Sequence, residues 1–298
     1  MTPAQRPLFV PKTSFARLSA GKLLAHGKKW LLVGGATLQF SMAAHAAQPS
    51  LHSEAVLVQD LQSTQVLYQK GGNQPRPIAS ITKLMTALVV VNSGQSMQNM
   101  VKIADSDVDR LRYSRSRLVV GTNLSRADML HLALMSSENR AAHALARYHP
   151  GGMPAFIRAM NDKARELGMR DTHFVDPTGL SEDNVSTPQD LVKLLRAVSK
   201  QPTLRKLTVS SQYQISLPNG RQVHYNNTNR LLKNNNWQIK VSKTGFINEA
   251  GQCLVMVANV DGHDLAFVLL NADGYASRFG DASRLRQFFE SQNLIASL

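Results

Sequence analysis

Ala79-Ser80-Ile81-Thr82-Lys83-Leu84-Met85-Thr86-Ala87-Leu88 is the stretch from which the rest of the chain can be read. From Leu84 to Val91 the run is apolar apart from Thr86, and a helix apolar nearly all round is a buried one. Pro75 and Pro77-Ile78 come just before it, so Ser80 stands at the entry of a central helix. Helix positions i and i+3 share a face, which lets the Ser80 hydroxyl meet the Lys83 amine. A serine hydroxyl is a weak nucleophile until a base takes its proton, and a desolvated lysine can be that base. The spacing alone is weak evidence. In a chain of 298 residues about one Ser-x-x-Lys arises by accident at ordinary residue frequencies, and Ser19-Ala20-Gly21-Lys22 is such an accident. A helix-capping serine explains Ser80 equally well on its own.

Composition narrows the classes. Hydrophobic residues at 43% and charged residues at 18% describe a folded chain rather than a disordered one, long enough to bury a full core. The excess of positive charge is uneven. Residues 1–46 carry Arg6, Lys12, Arg17, Lys22, Lys28 and Lys29 with no acid, and removing those six lowers the formal charge from +14 to +8. This basic head, the apolar run Trp30 to Phe40 and the small residues Ala43-Ala44-His45-Ala46-Ala47 together describe a secretory signal peptide cut after Ala46. The apolar run is short for a membrane span; retention as an N-terminal anchor is the alternative. No later stretch is apolar for long enough to cross a bilayer. The expectation is an exported, periplasmic protein with one domain over residues 47–298.

Cys253 is the only cysteine, which excludes an internal disulfide and any Cys-based metal site; within Cys253-Leu254-Val255-Met256-Val257 it reads as a buried structural thiol. No long basic run, zinc spacing or interleaving of aromatic and basic residues follows residue 47, so a nucleic-acid partner is not expected. The remaining basic surface would support a loose association with membrane or wall.

Outward from Ser80, Glu54 to Asp60 and Gln65 to Tyr68 read as a hairpin around Leu61-Gln62-Ser63-Thr64. Between about residues 100 and 200 the pattern is mostly helical. Ser125 with Asp128 forms a capping box for Ala127 to Met135, Ser136-Ser137-Glu138-Asn139 breaks that helix, and Arg140 to Tyr148 resumes it. Pro154 to Leu167 is amphipathic, Asp171 to Asn184 is a loop, and Thr187-Pro188 starts a helix through Ala197. Then the period changes. Gln212 to Leu217 and Arg221 to Tyr225 flank the turn Pro218-Asn219-Gly220. Gln238 to Ser242, Cys253 to Val260 and Asp264 to Leu270 read as strands, and Ala276 to Gln292 as a closing amphipathic helix. The fold class expected is α/β of the α+β type, with one antiparallel sheet from the N- and C-terminal segments and a mostly helical middle.

Two further groups could join Ser80. Ser137 and Asn139 lie in a polar break between buried helices, where a hydroxyl can pass a proton and an amide can donate and accept at once. Lys243-Thr244-Gly245-Phe246 ends a strand, with a charge, a hydroxyl and a glycine that admits a close approach. Each has a plain alternative: an interhelical turn with a capping serine, and a solvent-facing strand end.

In this order the three groups resemble the signatures of the penicillin-recognising serine acyltransferases, the DD-peptidases and class A β-lactamases: Ser-x-x-Lys at Ser80–Lys83, Ser-x-Asn at Ser137–Asn139, and Lys-Thr-Gly at Lys243–Gly245. Pro77-Ile78-Ala79-Ser80, Leu167-Gly168-Met169 and Thr172-His173-Phe174 are also similar to low-molecular-mass penicillin-binding proteins, so the resemblance covers residues 51–290 and implies a β-lactamase/transpeptidase-like fold. It implies that Ser80 attacks a D-alanyl carbonyl, that Lys83 is the base, and that Ser137 relays a proton to the leaving amine. Asn139 would hold Lys83 and the substrate amide, Lys243 and Thr244 would bind a carboxylate, and the N–H groups of Ser80 and Phe246 would form an oxyanion hole beside Gly245. Mutual repulsion between Lys83 and Lys243 would lower both amines. Neither metal nor cofactor is implied.

A class A β-lactamase would carry Glu-x-x-Leu-Asn, and no such string lies between Asn139 and Lys243; β-lactams are therefore expected as covalent inhibitors. The strings Leu134 to Ala142 and Lys243 to Gly251 look most like the D-alanyl-D-alanine endopeptidase branch, and no stretch after the closing helix reads as the extra β-rich domain usual in carboxypeptidases of this size. The resemblance thus implies hydrolysis of D-alanyl–diaminopimelate cross-links in peptidoglycan. A D-alanyl-D-alanine carboxypeptidase is the alternative, and a non-catalytic wall-binding protein the more distant one. Arg278, ahead of the closing helix, is expected on the surface rather than at a substrate carboxylate.

Overall fold

The computed structural model describes residues 48–292, apart from 218 and 235, together with residue 295. The leader expected over residues 1–46, with its cut after Ala46, lies outside the described residues. β1 (Ser53–Asp60) and β2 (Val66–Lys70) form the expected hairpin. After β3 (Arg76–Pro77), a 3-10 turn over Ala79–Thr82 runs directly into α1 (Lys83–Asn92), whose residues Lys83 to Val90 are all buried.

The helical middle follows. β4 (Met100–Lys102) pairs with β5 (Asn123–Ser125), which leads into α2 (Arg126–Met135), α3 (Asn139–Arg147) and α4 (Gly152–Glu166). Ser125 caps α2 as expected: its Oγ accepts the Asp128 N–H at 3.1 Å and donates to that carboxylate at 2.7 Å. β6 (Val185–Ser186) pairs with β3 and precedes α5 (Pro188–Ser199), which is capped by Thr187. α6 (Pro202–Val209) was not expected. It is short, and only Leu204 and Thr208 are buried, so its apolar signal is thin.

β7 (Gln212–Ser216) and β8 (Gln222–Asn226) form the second hairpin, joined by the bond from the Leu217 N–H to the Arg221 carbonyl at 2.8 Å. β9 (Gln238–Ile247), β10 (Gly251–Val260) and β11 (His263–Ala272) form a meander, and α7 (Ser277–Ser291) closes the described chain. The central sheet runs β2-β1-β11-β10-β9, all antiparallel, with the N-terminal β1 laid along β11 from Ser53–Ala272 to Asp60–Leu265. One expectation needs correction: β7–β8 is a separate two-stranded ribbon, not part of this sheet. The terminal strand β9 packs instead against α6 and the Ala79–Thr82 turn.

Side chains alternate across a strand, and both faces here are covered. Leu254, Met256 and Phe267 pack on one face with Phe279, Leu285 and Phe289 of α7. Val255, Val257 and Val268 pack on the other with Leu84 and Leu88 of α1 and Leu195 of α5. Each such side chain, fully buried, contributes about 1.5–3 kcal/mol. Cys253 is buried as expected, and burial pushes its thiol up to about 11. The sheet and α1 thus form the rigid frame on which the three sequence groups are mounted.

Candidate active site

On the helical side, Ser80 lies in the 3-10 turn and Lys83 opens α1, so the two are a helical turn apart, as expected. Lys83 is 1% exposed, and its amine donates to three oxygens: Ser80 Oγ at 2.8 Å, Asn139 Oδ1 at 2.7 Å and the Thr178 carbonyl at 2.6 Å. Its donors are thereby all occupied. Asn139 opens α3, and its Nδ2 donates to Ser114 Oγ at 2.8 Å, which fixes which way the amide faces. Ser137 precedes it with φ 62°, and Ala79 precedes Ser80 with φ 46°. Left-handed backbone at a non-glycine residue costs about 1–2 kcal/mol and persists where the surroundings impose it.

The surroundings that impose it include a loop with no motif of its own. Asp176 accepts the N–H groups of Thr178 and Gly179 on Oδ1 and that of Ser181 on Oδ2, and so folds Asp176–Ser181 into a tight nest. Gly179, at φ 80°, passes so near Ala79 that a Cβ on it would lie 1.9 Å from the Ala79 carbonyl oxygen. That loop also presents the Thr178 carbonyl to Lys83.

On the sheet side, Lys243, Thr244 and Gly245 are buried on β9, inside the strand rather than at its end, while Phe246 is 54% exposed. Lys243 Nζ donates to Ser137 Oγ at 3.0 Å and to the Thr244 carbonyl at 2.8 Å, and Thr244 Oγ1 donates to Thr228 Oγ1 at 2.7 Å. Gly245 is where β9 meets the Ser80 turn: a Cβ there would lie 3.0 Å from the Ile78 carbonyl oxygen and 3.1 Å from the Ser80 nitrogen. Only a residue without a side chain allows that approach. Ser80, Ser137, Asn139, Thr244, Gly245 and Phe246 all line one cavity of about 520 Å³, and hydrogen bonds tie Lys83 and Lys243 to its wall.

Electrostatics separate the two lysines. Burial pulls the Lys83 amine down to about 7, while Asp176, Glu138 and Asp109 push it back up. Burial holds Lys243 well below its ordinary value, and the charges of Lys83 and Arg278 add to the effect. The expected mutual lowering therefore acts one way. The charge of Lys83 helps to lower Lys243, whereas Lys243 is not among the groups that shift Lys83. Burial, not repulsion, is the larger cause for both.

Arg278 was expected on the surface and is not there. It is 5% exposed, and its guanidinium donates to the Gly245 carbonyl at 3.1 Å and to the Gln252 side chain. Its signal was its spacing: Arg278, Asp281, Ala282, Leu285 and Phe289 recur on one helix face, all buried. Thr228, Ser114 and Asp176 also belong to the site and had no sequence signal beyond a polar loop. Among the described residues no group of three or more His, Cys, Asp or Glu could hold a metal ion.

A serine and a lysine at the entry of a buried helix, facing a Lys-Thr-Gly strand, are the arrangement of the serine DD-peptidase fold. The crystal structure of the Streptomyces K15 DD-transpeptidase matches with a TM-score of 0.76 and 27% identity, over 83% of this chain and 100% of that one. The peptidase S11 family model, described as D-alanyl-D-alanine carboxypeptidase, matches residues 42–274. The chain belongs to this family of serine peptidases. Among its relatives, the D-alanyl-D-alanine endopeptidase of Escherichia coli K12 is 43% identical over 86% of this chain and 83% of that protein. The D-alanyl-D-alanine endopeptidase of Pseudomonas aeruginosa is 45% identical over 84% and 81%.

Proposed function

We propose that this chain is an exported DD-endopeptidase that hydrolyses D-alanyl–diaminopimelate cross-links of peptidoglycan through an acyl-enzyme on Ser80. The observation that carries the chemistry is the buried Lys83 amine, 2.8 Å from Ser80 Oγ and lowered to about 7, where a lysine is half unprotonated at neutral pH. Neutral Lys83 takes the Ser80 proton as Oγ attacks the D-alanyl carbonyl. The N–H groups of Ser80 and Phe246 receive the developing oxyanion, which the close pass at Gly245 favours. Ser137 hands a proton to the leaving amine, and Lys243 with Thr244 receives that half's carboxylate. Water then releases the acyl group. Burial and the charges of Lys83 and Arg278 lower the Lys243 amine, and an arriving carboxylate would favour its charged form.

The cut at a cross-link, rather than at a terminal D-alanine, is supported by the endopeptidase names of relatives that match more than four-fifths of this chain. The carboxypeptidase reading has its own support in the family description. Incubation with purified cross-linked muropeptide dimer separates the two: loss of dimer is expected, and intact dimer with trimming of pentapeptide would favour the carboxypeptidase. Penicillins are expected to acylate Ser80 and remain there. Labelling by a fluorescent penicillin should be lost in Ser80→Ala; equal labelling of both proteins would remove Ser80 from the mechanism and revive the wall-binding reading. The periplasm and a loose contact with wall or membrane remain part of this proposal. No helix among the described residues is long and apolar enough to cross a membrane.

A further inference from the structure

The cleft differs in chemistry on the two sides of Ser80. One lobe, of about 490 Å³, is walled by Leu111, Tyr113, Leu180, Phe246 and Ile247. Its one arginine, Arg112, is committed to Glu249 at 2.8 Å and to the Leu180 carbonyl. The other lobe, of about 520 Å³, gathers Arg230, Lys233 and Arg278, and none of the described side chains lining it is acidic.

Those cations differ in availability. Arg278 is buried, and its guanidinium is spent on the Gly245 carbonyl and Gln252. Arg230 and Lys233 are exposed, and neither takes part in an ion pair among the described residues. They are also firmly mounted. Both belong to the 3-10 turn Arg230–Lys233, which Asn229 starts by accepting the Leu231 N–H at 3.0 Å. The same Asn229 donates to Ser242 Oγ at 2.8 Å, one residue before Lys243 on β9. The Arg230 guanidinium stacks 4.6 Å from the ring centre of Tyr275, a neighbour on the cavity wall.

Peptide cleavage gives the two lobes different tasks. The acyl half stays on Ser80, and the leaving half departs as an amine with its own carboxylate. Thr244, Thr228 and Lys243 suffice for that one carboxylate, and a terminal D-alanine has no other. A stem peptide that leaves through a diamino diacid carries further carboxylates. We infer that Arg230, stacked on Tyr275, and Lys233 read a second carboxylate on the leaving half, and so set a preference for a polyanionic peptide over a single terminal D-alanine. This specificity rests on the peptidase reading of the cleft, and it belongs to residues outside the three motifs.

Two synthetic peptides test it, with the same acyl half and ending in D-alanyl-D-alanine or in D-alanyl-D-2-aminopimelate, which has a second carboxylate. The native protein should favour the second in kcat/KM. Arg230→Gln should lower that ratio about fivefold, as expected for one partly exposed ion pair, and through KM rather than kcat. Lys233→Gln should act in the same direction, Arg230→Lys should recover most of the loss, and added salt should shrink the native ratio. A ratio unchanged in both Gln variants, even with both substrates slowed, would overturn the inference and leave the peptidase intact. Native protein that takes penicillin on Ser80 yet cleaves neither peptide would instead sink the peptidase reading, and this preference with it.

Discussion

Lys83, on the helical side of the cleft, and Lys243, on the sheet side, are both 1% exposed, and burial lowers both amines. Their neighbours differ. Lys83 faces Asp176, Glu138 and Asp109, which bring it back to about 7, whereas Lys243 faces the charges of Lys83 and Arg278, which add to burial in holding it well below its ordinary value. Equal burial thus gives two tools. One lysine is set to exchange a proton at neutral pH, and the other is lowered by positive neighbours that a bound anion would offset.

The two lysines should therefore respond differently to substitution, pH and ligand. The largest effect is expected from Lys83→Arg, which keeps the charge and removes the base: acylation by a fluorescent penicillin should fall about 10²–10⁴-fold. An equal loss in Lys243→Arg would erase the distinction between the two sides. Next is pH. Because the neutral form of Lys83 is the active one and its amine sits at about 7, acylation should fall about tenfold per unit below that pH and level off above it. A flat profile from acid to neutral pH would move the base elsewhere.

Lys243 offers a subtler test. Burial and neighbouring positive charge lower its amine, and a bound carboxylate should raise it again, so carboxylate binding should be accompanied by proton uptake. Calorimetry in buffers of different ionisation enthalpy reads that uptake directly; none would mean that Lys243 is charged beforehand. The smallest effect is expected for Asp176→Asn. Its carboxylate is the largest of the influences raising Lys83, so the acid limb should move to lower pH, with about a threefold gain in relative rate on that limb. The position of the limb is the readout, because the same substitution loosens the Asp176–Ser181 nest and lowers the plateau.

Much of the frame was legible because its periods are strong. The apolar run after Lys83 became α1, Ser125 and Asp128 became the cap of α2, and the C-terminal strands became a meander. The eight residues singled out, from Ser80 to Phe246, converge on one cleft. The misses share a cause. α6 buries too little to leave a pattern, and whether β7–β8 joins the sheet depends on what already packs against β9. Arg278 was misplaced because its residue type outweighed its position on the buried face of α7.

The order of residues alone specifies which chemical groups are present and which local elements carry them, since a helical turn is enough to bring Ser80 to Lys83. It could not decide how those groups behave. The amine of Lys83 depends on Asp176, 93 residues further on, and on Glu138 and Asp109; the value of Gly245 depends on the backbone of Ile78 and Ser80. Burial and charge act through space and not along the chain, so only the folded structure sets a base near neutrality, lowers a second lysine beside it, and leaves Arg230 and Lys233 open on one side of the cleft.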